Sequence, residues 1–415
     1  MSREAGTRRG PTRRETIAYS GAVLGGSVFS GCLAGEENGD GDSPASTGSD
    51  AEGDSDGEAT RSEGEPYTAT LAPVGEVTFD AVPESVFTVF PWYADMAVAL
   101  GHGDSINSLW WAEEFDSIMQ YFTADLEGVS VSWAGLEGQY GANEERLYEL
   151  DSDLHLVDPA WLSTQDGWDR DAIDRIADTV APWFGNQYSN LHQTPPEAWT
   201  TDYEYYTLWE LFERVAAVYR ERARYEALTS VHADLLARVE RDRPARADRP
   251  TVGYLQLPTD LSAVSVLRLN APGYYNAHTR PLGATDAFED LEITGEFASV
   301  DFETLLEADP DVLLVLWGMT SSVDLEALRA NLEDHPVGGH LSAVQEGRVY
   351  TQGTRFQGPL MNLFQLEMTA KQLYLEQFGE WPGYEDGDSY PDFDVDEQLF
   401  DRQRVSTIVM EGSDE

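Results

Sequence analysis

The sequence predicts an α/β fold made of two lobes joined by one long helical segment. Short apolar stretches alternate with amphipathic ones in residues 67–202 and again in residues 250–385, which is the pattern of strands and helices in layered α/β domains. Between these blocks, residues 203–243 contain neither glycine nor proline and keep apolar residues at helical spacing. The order of parts is therefore lobe, helix, lobe.

The N-terminal lobe, residues 67–202, opens with an apolar run of Val and Phe residues that leads into Pro91. This pattern indicates a buried strand followed by a helix, because proline suits the first helical turn. The predicted elements of the lobe are a strand at 86–90, a helix at 92–100, and strands at 154–157 and 180–183.

The linking segment, residues 203–243, would form a rigid helix about 60 Å long if it were continuous, at about 1.5 Å per residue. Two abutting helices are the alternative that the same apolar spacing allows. Pro244 and Pro250 end the segment, because proline cannot continue a helical hydrogen-bond ladder.

The C-terminal lobe, residues 250–385, repeats the alternation of strands and helices. Its predicted elements are strands at 251–257, 311–317 and 348–350 and helices at 302–308 and 361–378. Residues 386–415 form an acidic C-terminal tail with one short amphipathic stretch at 399–410.

The chain is strongly acidic, with 26 basic and 76 acidic side chains among 415 residues and a net charge of −50. This charge excludes a nucleic-acid binder that works by neutralising phosphates. Lys371 is the only lysine. A strongly acidic chain with so little lysine is typical of extreme halophiles. In molar salt the Debye length is ~3 Å, so the repulsion among the acidic side chains is screened. A generally acidic mesophilic protein is the alternative. The hydrophobic content of 41% excludes wholesale disorder.

The N-terminus has the pattern of an export signal with a lipid attachment site. Arg13 and Arg14 precede a short apolar run at 17–29, which is the twin-arginine pattern and is too short to span a ~30 Å hydrocarbon core. Small residues lead to Cys32, which we expect to carry lipid, with a buried structural cysteine as the alternative. We therefore expect a signal at 1–32, a disordered acidic tether at 33–66, and a protein anchored at the extracellular face of the cytoplasmic membrane.

Aromatic residues follow most of the predicted strands. Ligands in open α/β sheets settle outside the carboxyl ends of the strands, so these rings are candidates for a binding site that stacks on a flat ligand. Core packing is the alternative for any single ring. Arg280 or Arg355 could pair with an anionic chelate. The preferred ligand-binding set is Trp92, Trp110, Trp161, Tyr275, Trp317 and Arg355.

No motif for catalysis is present: the chain lacks a GxSxG elbow, a P-loop and a GxGxxG fingerprint. We expect no catalytic residues and no cofactor. His278 is a lone loop histidine, for which a surface or hydrogen-bonding role is favoured over metal ligation. A surface enzyme on a two-lobed α/β frame is the competing class, and it would need a perturbed pair of titratable groups in the cleft.

The sequence resembles the class III substrate-binding proteins of ABC importers for iron–siderophores, haem and cobalamin, with a lipoprotein front end of haloarchaeal type. The resemblance spans roughly residues 70–380. Four blocks carry it in the family's order: the strand and helix ending in ALG at 89–101, the ERL and DLHLV block at 145–157, the helix and PDV strand at 300–315, and AVQEGRVY at 343–350.

The resemblance implies two lobes joined by one rigid helix, with the ligand in a cleft between them. It further implies delivery of the ligand to an ABC transporter permease, on which Glu145 and Glu303 would dock. A ferric siderophore is the first expected cargo, and cobalamin or haem is the second. The ligand set of the related zinc and manganese binders is absent from the sequence, so iron would arrive already chelated. We expect a monomer.

Overall fold

The computed structural model of the chain describes residues 65–138, 140–385 and 388–412. The export signal, Cys32 and almost all of the acidic tether lie outside these residues, so lipidation and anchoring stay predictions. Throughout the described ranges, no helix combines the length and the apolar composition that a membrane crossing requires.

The N-terminal lobe is a small parallel sheet with surrounding helices, preceded by a hairpin. Its elements are β1 (Tyr67–Leu71), β2 (Gly75–Phe79), β3 (Val86–Thr88), α1 (Pro91–Ala99), β4 (Ile106–Ser108), α2 (Ala112–Thr123), α3 (Glu144–Leu150), β5 (Leu154–Leu156), α4 (Pro159–Leu162) and α5 (Arg170–Thr179). Strands β1 and β2 pair antiparallel, and the parallel sheet has the order β4–β3–β5.

Three of the four elements predicted for this lobe are confirmed as β3, α1 and β5, and α1 begins at Pro91. The strand predicted at 180–183 is reduced to one parallel bridge between Trp183 and His155. The hairpin of β1 and β2 was not predicted, although both strands alternate between buried and exposed residues.

The linking segment forms two helices rather than the single helix predicted over 203–243. The first helix, α6 (Leu208–Tyr219), begins with a capping box between Thr207 and Glu210 and ends at Arg220, whose φ is +59°. The break has a tertiary cause. Tyr219 hydrogen-bonds Ser105 at 3.0 Å on one side of Arg220, so the N-terminal lobe holds the end of α6.

The second helix, α7 (Arg222–Asp242), connects the two lobes. Near its start, the Arg224 guanidinium donates to the carbonyl oxygen of Leu100 in the N-terminal lobe. Just past its end, Arg243 donates to the carbonyl oxygen of Pro281 in the C-terminal lobe at 2.6 Å. At about 1.5 Å per residue the helix spans about 31 Å, and its attachment at both ends resists bending between the lobes.

The C-terminal lobe contains a larger mixed sheet. Its elements are β6 (Thr251–Gln256), β7 (Val264–Val266), β8 (Thr285–Asp286), β9 (Ala298–Val300), α8 (Phe302–Ala308), β10 (Val312–Val315), α9 (Leu325–Asp334), α10 (Ser342–Gln345), β11 (Val349–Thr351), α11 (Pro359–Leu373) and α12 (Leu375–Phe378). The strand order is β11–β10–β6–β7–β9, with β8 also on β6, and β7 is antiparallel to both of its neighbours. The predicted strands are confirmed as β6, β10 and β11 and the helix at 302–308 as α8, whereas the helix predicted at 361–378 is divided at Tyr374 into α11 and α12.

One helix–strand corner occurs in both lobes at the same spacing. Helices α3 and α8 each have 7 residues and end at an aspartate in the left-handed region, Asp151 with φ +44° and Asp309 with φ +34°. Two residues later, Asp153 and Asp311 each accept a backbone N–H at the start of the neighbouring strand. Both pairs are separated by 309 − 151 = 311 − 153 = 158 residues. The two lobes therefore share a structural unit.

Helix α11 packs against both lobes: all 15 of its residues are buried, and it contacts α1 and α2 of the N-terminal lobe. The carboxylate of Asp95, on α1 of the N-terminal lobe, accepts the backbone N–H groups of Leu360 and Met361 at 3.0 Å each. A negative charge is favourable at this first turn of a helix. Burial nevertheless raises the pKa of Asp95 to about 7. One hydrophobic core therefore includes residues of both lobes, and a second core lies within the C-terminal lobe.

The acidic C-terminal segment packs against the body of the protein, and residues 388–412 are called the C-terminal strap below. Its amphipathic stretch is confirmed as helix α13 (Arg402–Glu411). The buried Arg402 pairs with Glu367 of α11 at 2.7 Å and with Asp125 beside α2. The strap therefore ties a helix of the N-terminal lobe to the helix that both lobes share.

The only lysine of the chain also holds the strap. Lys371 is buried on α11 and donates to the carbonyl oxygens of Phe378 at 2.6 Å and Glu397 at 2.9 Å. Its ammonium group lies 4.1 Å from the ring centroid of Phe393. These contacts fasten the strap to α11 at Lys371.

Candidate ligand-binding site

A cluster of aromatic rings fills the space between the two lobes at the carboxyl ends of their strands. Phe356, which follows β11, lies at its centre. Six rings from both lobes have their centroids within 6.2 Å of the Phe356 centroid: Tyr275 at 5.2 Å, Trp317 at 5.3 Å, Trp92 at 5.7 Å, Phe90 at 5.9 Å, Phe115 at 6.0 Å and Trp110 at 6.2 Å. The sheet edges therefore place one continuous aromatic surface between the lobes.

All of the predicted ligand-binding residues belong to this cluster. Trp161 joins it through Phe90, at a centroid distance of 4.9 Å, and the Arg355 guanidinium lies 4.8 Å from the Tyr275 ring centroid. Trp92, Trp161, Tyr275 and Arg355 are buried, whereas Trp110 and Trp317 are partly exposed. The structure thus divides the set into an inner layer and an accessible layer.

The accessible layer forms the mouth of the cluster. A depression of about 480 Å³ is lined by Trp110 and Trp111 of the N-terminal lobe and by Trp317 and Ser322 of the C-terminal lobe. Trp111 and Phe356 also line or fill this part of the cluster but are not in the predicted ligand-binding set. Their adjacency to Trp110 and Arg355 was the available signal.

Two tryptophans at the mouth have a strained backbone. Trp111 has φ +54° and Trp317 has φ +65°, in the left-handed region that bulky residues rarely adopt. Each comes shortly after a strand, β4 in one lobe and β10 in the other, and their ring centroids are 5.7 Å apart. Strain of this kind is kept where the side chain's position matters.

A polar contact closes one side of the mouth. Glu114 on α2 accepts the backbone N–H of Ser321 at 3.2 Å and also the Ser321 hydroxyl. This contact joins the N-terminal lobe to the loop after β10. It therefore fixes the separation of the tryptophans across the mouth.

The two arginines that could meet an anionic ligand are engaged within the protein. Arg355 donates to Glu296 at 3.2 Å. Arg280 donates to the carbonyl oxygens of Ala271 and Gly273 at 2.7 Å each, and burial lowers its pKa. Arg355 faces the cluster, whereas Arg280 braces a loop.

His278 lies beneath the cluster as a hydrogen-bonded, buried residue. The Gln357 side-chain amide donates to its Nδ1 atom at 2.6 Å, because the Gln357 oxygen accepts from Asn362 at 3.0 Å. Burial, together with the nearby Arg355 guanidinium, lowers the pKa of His278 to about 3, so the ring is neutral. This agrees with the hydrogen-bonding role favoured for it.

Several buried polar atoms around the inner layer have no hydrogen-bond partner in the protein. They are His278 Nε2, the Tyr254 hydroxyl, Arg355 Nε and Trp92 Nε1. Such groups are costly to bury unpaired. Within the described ranges, no three side chains of histidine, cysteine, aspartate or glutamate are arranged to hold a metal ion.

Two buried carboxyl groups near the site have raised pKa values. Burial raises the pKa of Asp158, which follows β5, to about 6, and that of Asp95 to about 7. Asp158 accepts the backbone N–H of Ala160 at 2.7 Å and the Tyr203 hydroxyl at 2.5 Å. Both carboxyl groups hold backbone N–H groups in place, so their surroundings are structural.

The candidate docking residues occupy equivalent places in the two lobes. Glu145 and Glu303 are both exposed, and each is the second residue of its helix, α3 or α8. They belong to the repeated helix–strand corner and are also separated by 303 − 145 = 158 residues. The fold therefore presents one exposed carboxylate from the same position of each lobe.

Comparison with known families gives one match: the family described as periplasmic binding protein matches residues 66–355. No curated protein sequence matches the chain.

Solved structures share the fold at low sequence identity. A periplasmic solute-binding protein from Veillonella parvula is 16% identical, with a TM-score of 0.54, over 76% of this chain and 89% of that one. PiuA, an iron-uptake ABC transporter substrate-binding protein from Streptococcus pneumoniae, is 15% identical, with a TM-score of 0.53, over 74% and 98%. A variant of the haem-binding protein HmuT is 17% identical, with a TM-score of 0.50, over 76% and 92%.

Proposed function

Because the chain belongs to the periplasmic binding protein family, we propose that it is the solute-binding protein of an ABC importer and captures a ferric siderophore. The observation that carries the proposal is the aromatic cluster between the lobes, whose mouth opens through Trp110, Trp111 and Trp317. Flat, partly apolar ligands stack on such rings.

The cargo class follows from the chemistry of the site. The mouth offers ring faces and no arrangement of metal ligands in the described residues, so iron would enter as a chelate. PiuA takes part in iron uptake and HmuT binds haem, and their similarity to this chain concerns the fold. A ferric siderophore is the first cargo, and haem or cobalamin is the alternative.

Location and delivery complete the proposal. The twin-arginine pattern and Cys32 support a lipid-anchored protein at the extracellular face of the cytoplasmic membrane. Glu145 and Glu303, one exposed at the same position of each lobe, would meet the permease of the importer. The attachment of α7 to both lobes supports a protein that delivers its ligand with little hinge motion.

Tryptophan fluorescence of residues 65–415 in molar salt tests the function. The protein is titrated separately with a ferric hydroxamate, a ferric catecholate, haem and cobalamin. Saturable quenching at submicromolar concentration by an iron chelate supports the proposal, and saturation by haem or cobalamin alone changes the cargo. The absence of saturation with all four ligands contradicts it.

Two matched variants locate the site. Trp317→Ala removes a ring of the mouth and should abolish saturable quenching. Trp199→Ala is the control, because Trp199 lies away from the aromatic cluster and packs against Arg170. The distance between the Trp199 ring centroid and the guanidinium carbon of Arg170 is 4.2 Å. Equal loss of binding in both variants would show that the quenching does not report the mouth.

A further inference from the structure

The segments that line the mouth carry negative charge and no positive charge. Residues 109–117 and 317–324 contain Glu113, Glu114 and Asp324 in addition to the buried Asp116, and neither segment contains lysine or arginine. Glu114 is at the rim itself, where it bonds to Ser321 across the mouth. A ligand seated on the tryptophans therefore meets ring faces and a carboxylate.

The cation nearest to the inner rings is already paired. The Arg355 guanidinium is buried beneath Tyr275 and bonds to Glu296, whose side chain is 39% exposed. An anionic ligand would have to displace Glu296 and leave that carboxylate without its partner. His278 adds no charge, since its ring is neutral.

The absence of positive charge in the two mouth segments and the pairing of Arg355 with Glu296 together favour one ligand charge over another. An anion that loses water on an apolar surface without gaining a cation is strongly disfavoured, whereas the faces of tryptophan rings attract cations and neutral planar groups. In molar salt the Debye length is ~3 Å, so the distant charges of the chain are screened. The groups at the mouth therefore determine which ligand charge is favoured.

We infer that the site takes an uncharged or cationic ferric chelate, of which ferric trihydroxamates are the matching class, and discriminates against the triply anionic ferric tricatecholates. This inference rests on the function proposed above and specifies its ligand. The mouth selects by stacking on Trp110, Trp111 and Trp317, while Glu114 and the Glu296–Arg355 pair exclude anions.

The test uses two gallium(III) complexes of similar size and opposite charge, a singly cationic linear trihydroxamate and a triply anionic tricatecholate. Gallium avoids the absorption of ferric complexes, so tryptophan fluorescence and calorimetry can both be used. In molar salt we expect the trihydroxamate complex to bind about a hundredfold more tightly than the tricatecholate complex.

Three variants separate the charge effect from folding. Glu296→Gln frees Arg355 and should strengthen tricatecholate binding about tenfold, whereas Glu114→Gln should weaken binding of the cationic complex several-fold. Glu346→Gln, an exposed residue after α10, is the control and should leave both affinities unchanged. Circular dichroism confirms that each variant is folded.

The outcomes distinguish this inference from the proposed function. Tricatecholate binding that equals or exceeds trihydroxamate binding overturns the charge inference and leaves the transport function standing. Tight binding of haem without the trihydroxamate also overturns it, because haem carries two carboxylates. If none of the gallium complexes, haem or cobalamin binds, the proposed function fails and the inference fails with it.

Discussion

Trp111 and Trp317 face each other across the mouth from different lobes, with ring centroids 5.7 Å apart, and both have a positive φ. Each residue comes shortly after a strand of its own lobe, so the two sheets deliver matching tryptophans to one point. A left-handed conformation costs a residue with a Cβ about 1 kcal/mol, which glycine would avoid. Both rings are therefore presented at the mouth from a backbone conformation that disfavours tryptophan.

Trp317→Gly and Trp317→Ala should therefore differ in stability, while both should lose ligand binding. Both remove the ring and should lose ligand-dependent quenching, but Trp317→Gly should be more stable by about 1 kcal/mol because glycine adopts φ +65° without strain. Thermal unfolding in molar salt measures the difference. The same pair at Trp110, where φ is not positive, is the control, and there alanine should be at least as stable as glycine. An identical order at both positions would remove the argument for strain.

The stability that the C-terminal strap gives to the fold should depend much more on the buried Arg402 than on the exposed charged residues of the strap. Arg402→Gln leaves the fully buried Glu367 without its cation, which typically costs about 3–5 kcal/mol. Arg404→Gln, on the same helix, breaks an exposed ion pair with Asp234 and an exposed hydrogen bond to Ser230, and should cost less than about 1 kcal/mol. Unfolding midpoints of both variants test this. Similar small losses would mean that the strap contributes little to the fold.

The sequence was sufficient for the elements whose signals are local. Strands β3, β5, β6, β10 and β11 follow from apolar runs between turn residues, and α1 follows from Pro91. Because parallel strands place their carboxyl ends at one edge, aromatic residues after separate strands could be expected to meet, as Trp92 and Tyr275 do at 6.0 Å. The order of lobe, helix and lobe followed from the alternation of strand-like and helix-like stretches, and the family resemblance added the ligand cleft between the lobes.

What the sequence did not predict depends on contacts between distant residues. The helix break at Arg220 needs no glycine or proline, because Tyr219 is held by Ser105 of the N-terminal lobe. The capping box of Thr207 and Glu210 was the local signal that a helix begins within the segment. The packing of the acidic strap depends on Arg402 meeting Glu367, which are 35 residues apart, and no local pattern shows that pairing.

The charge of the chain predicts that its fold requires salt. At −50, self-repulsion opposes the compact state, and screening over ~3 Å in molar salt removes most of that repulsion. We expect the native circular dichroism spectrum to be lost as salt falls below about 1 M and to return when salt is restored. A potassium chloride titration of residues 65–415 measures it. A native spectrum in dilute buffer would contradict the interpretation of the composition as halophilic.

Asp95 should make the packing of the two lobes sensitive to pH. Burial raises its pKa from 3.8 to about 7 in the folded protein, so the folded state holds the proton more tightly than the unfolded state. The resulting stabilisation is complete below about pH 4 and is lost as the pH rises through about 7. Asp95→Asn removes this titration but keeps an oxygen that can accept from Leu360.

The Tm of the wild type minus that of Asp95→Asn should therefore fall steadily between about pH 4 and 7 in molar salt. Asp178→Asn, on the exposed face of α5, is the matched control for the loss of one carboxyl group. Differential scanning calorimetry at constant salt measures the Tm of the wild type and of both variants, and hence the two Tm differences. If the Asp95→Asn difference stayed constant or rose with pH, the carboxyl group would have to be ionised in the folded protein throughout the range. The N–H groups of α11 would then outweigh its burial.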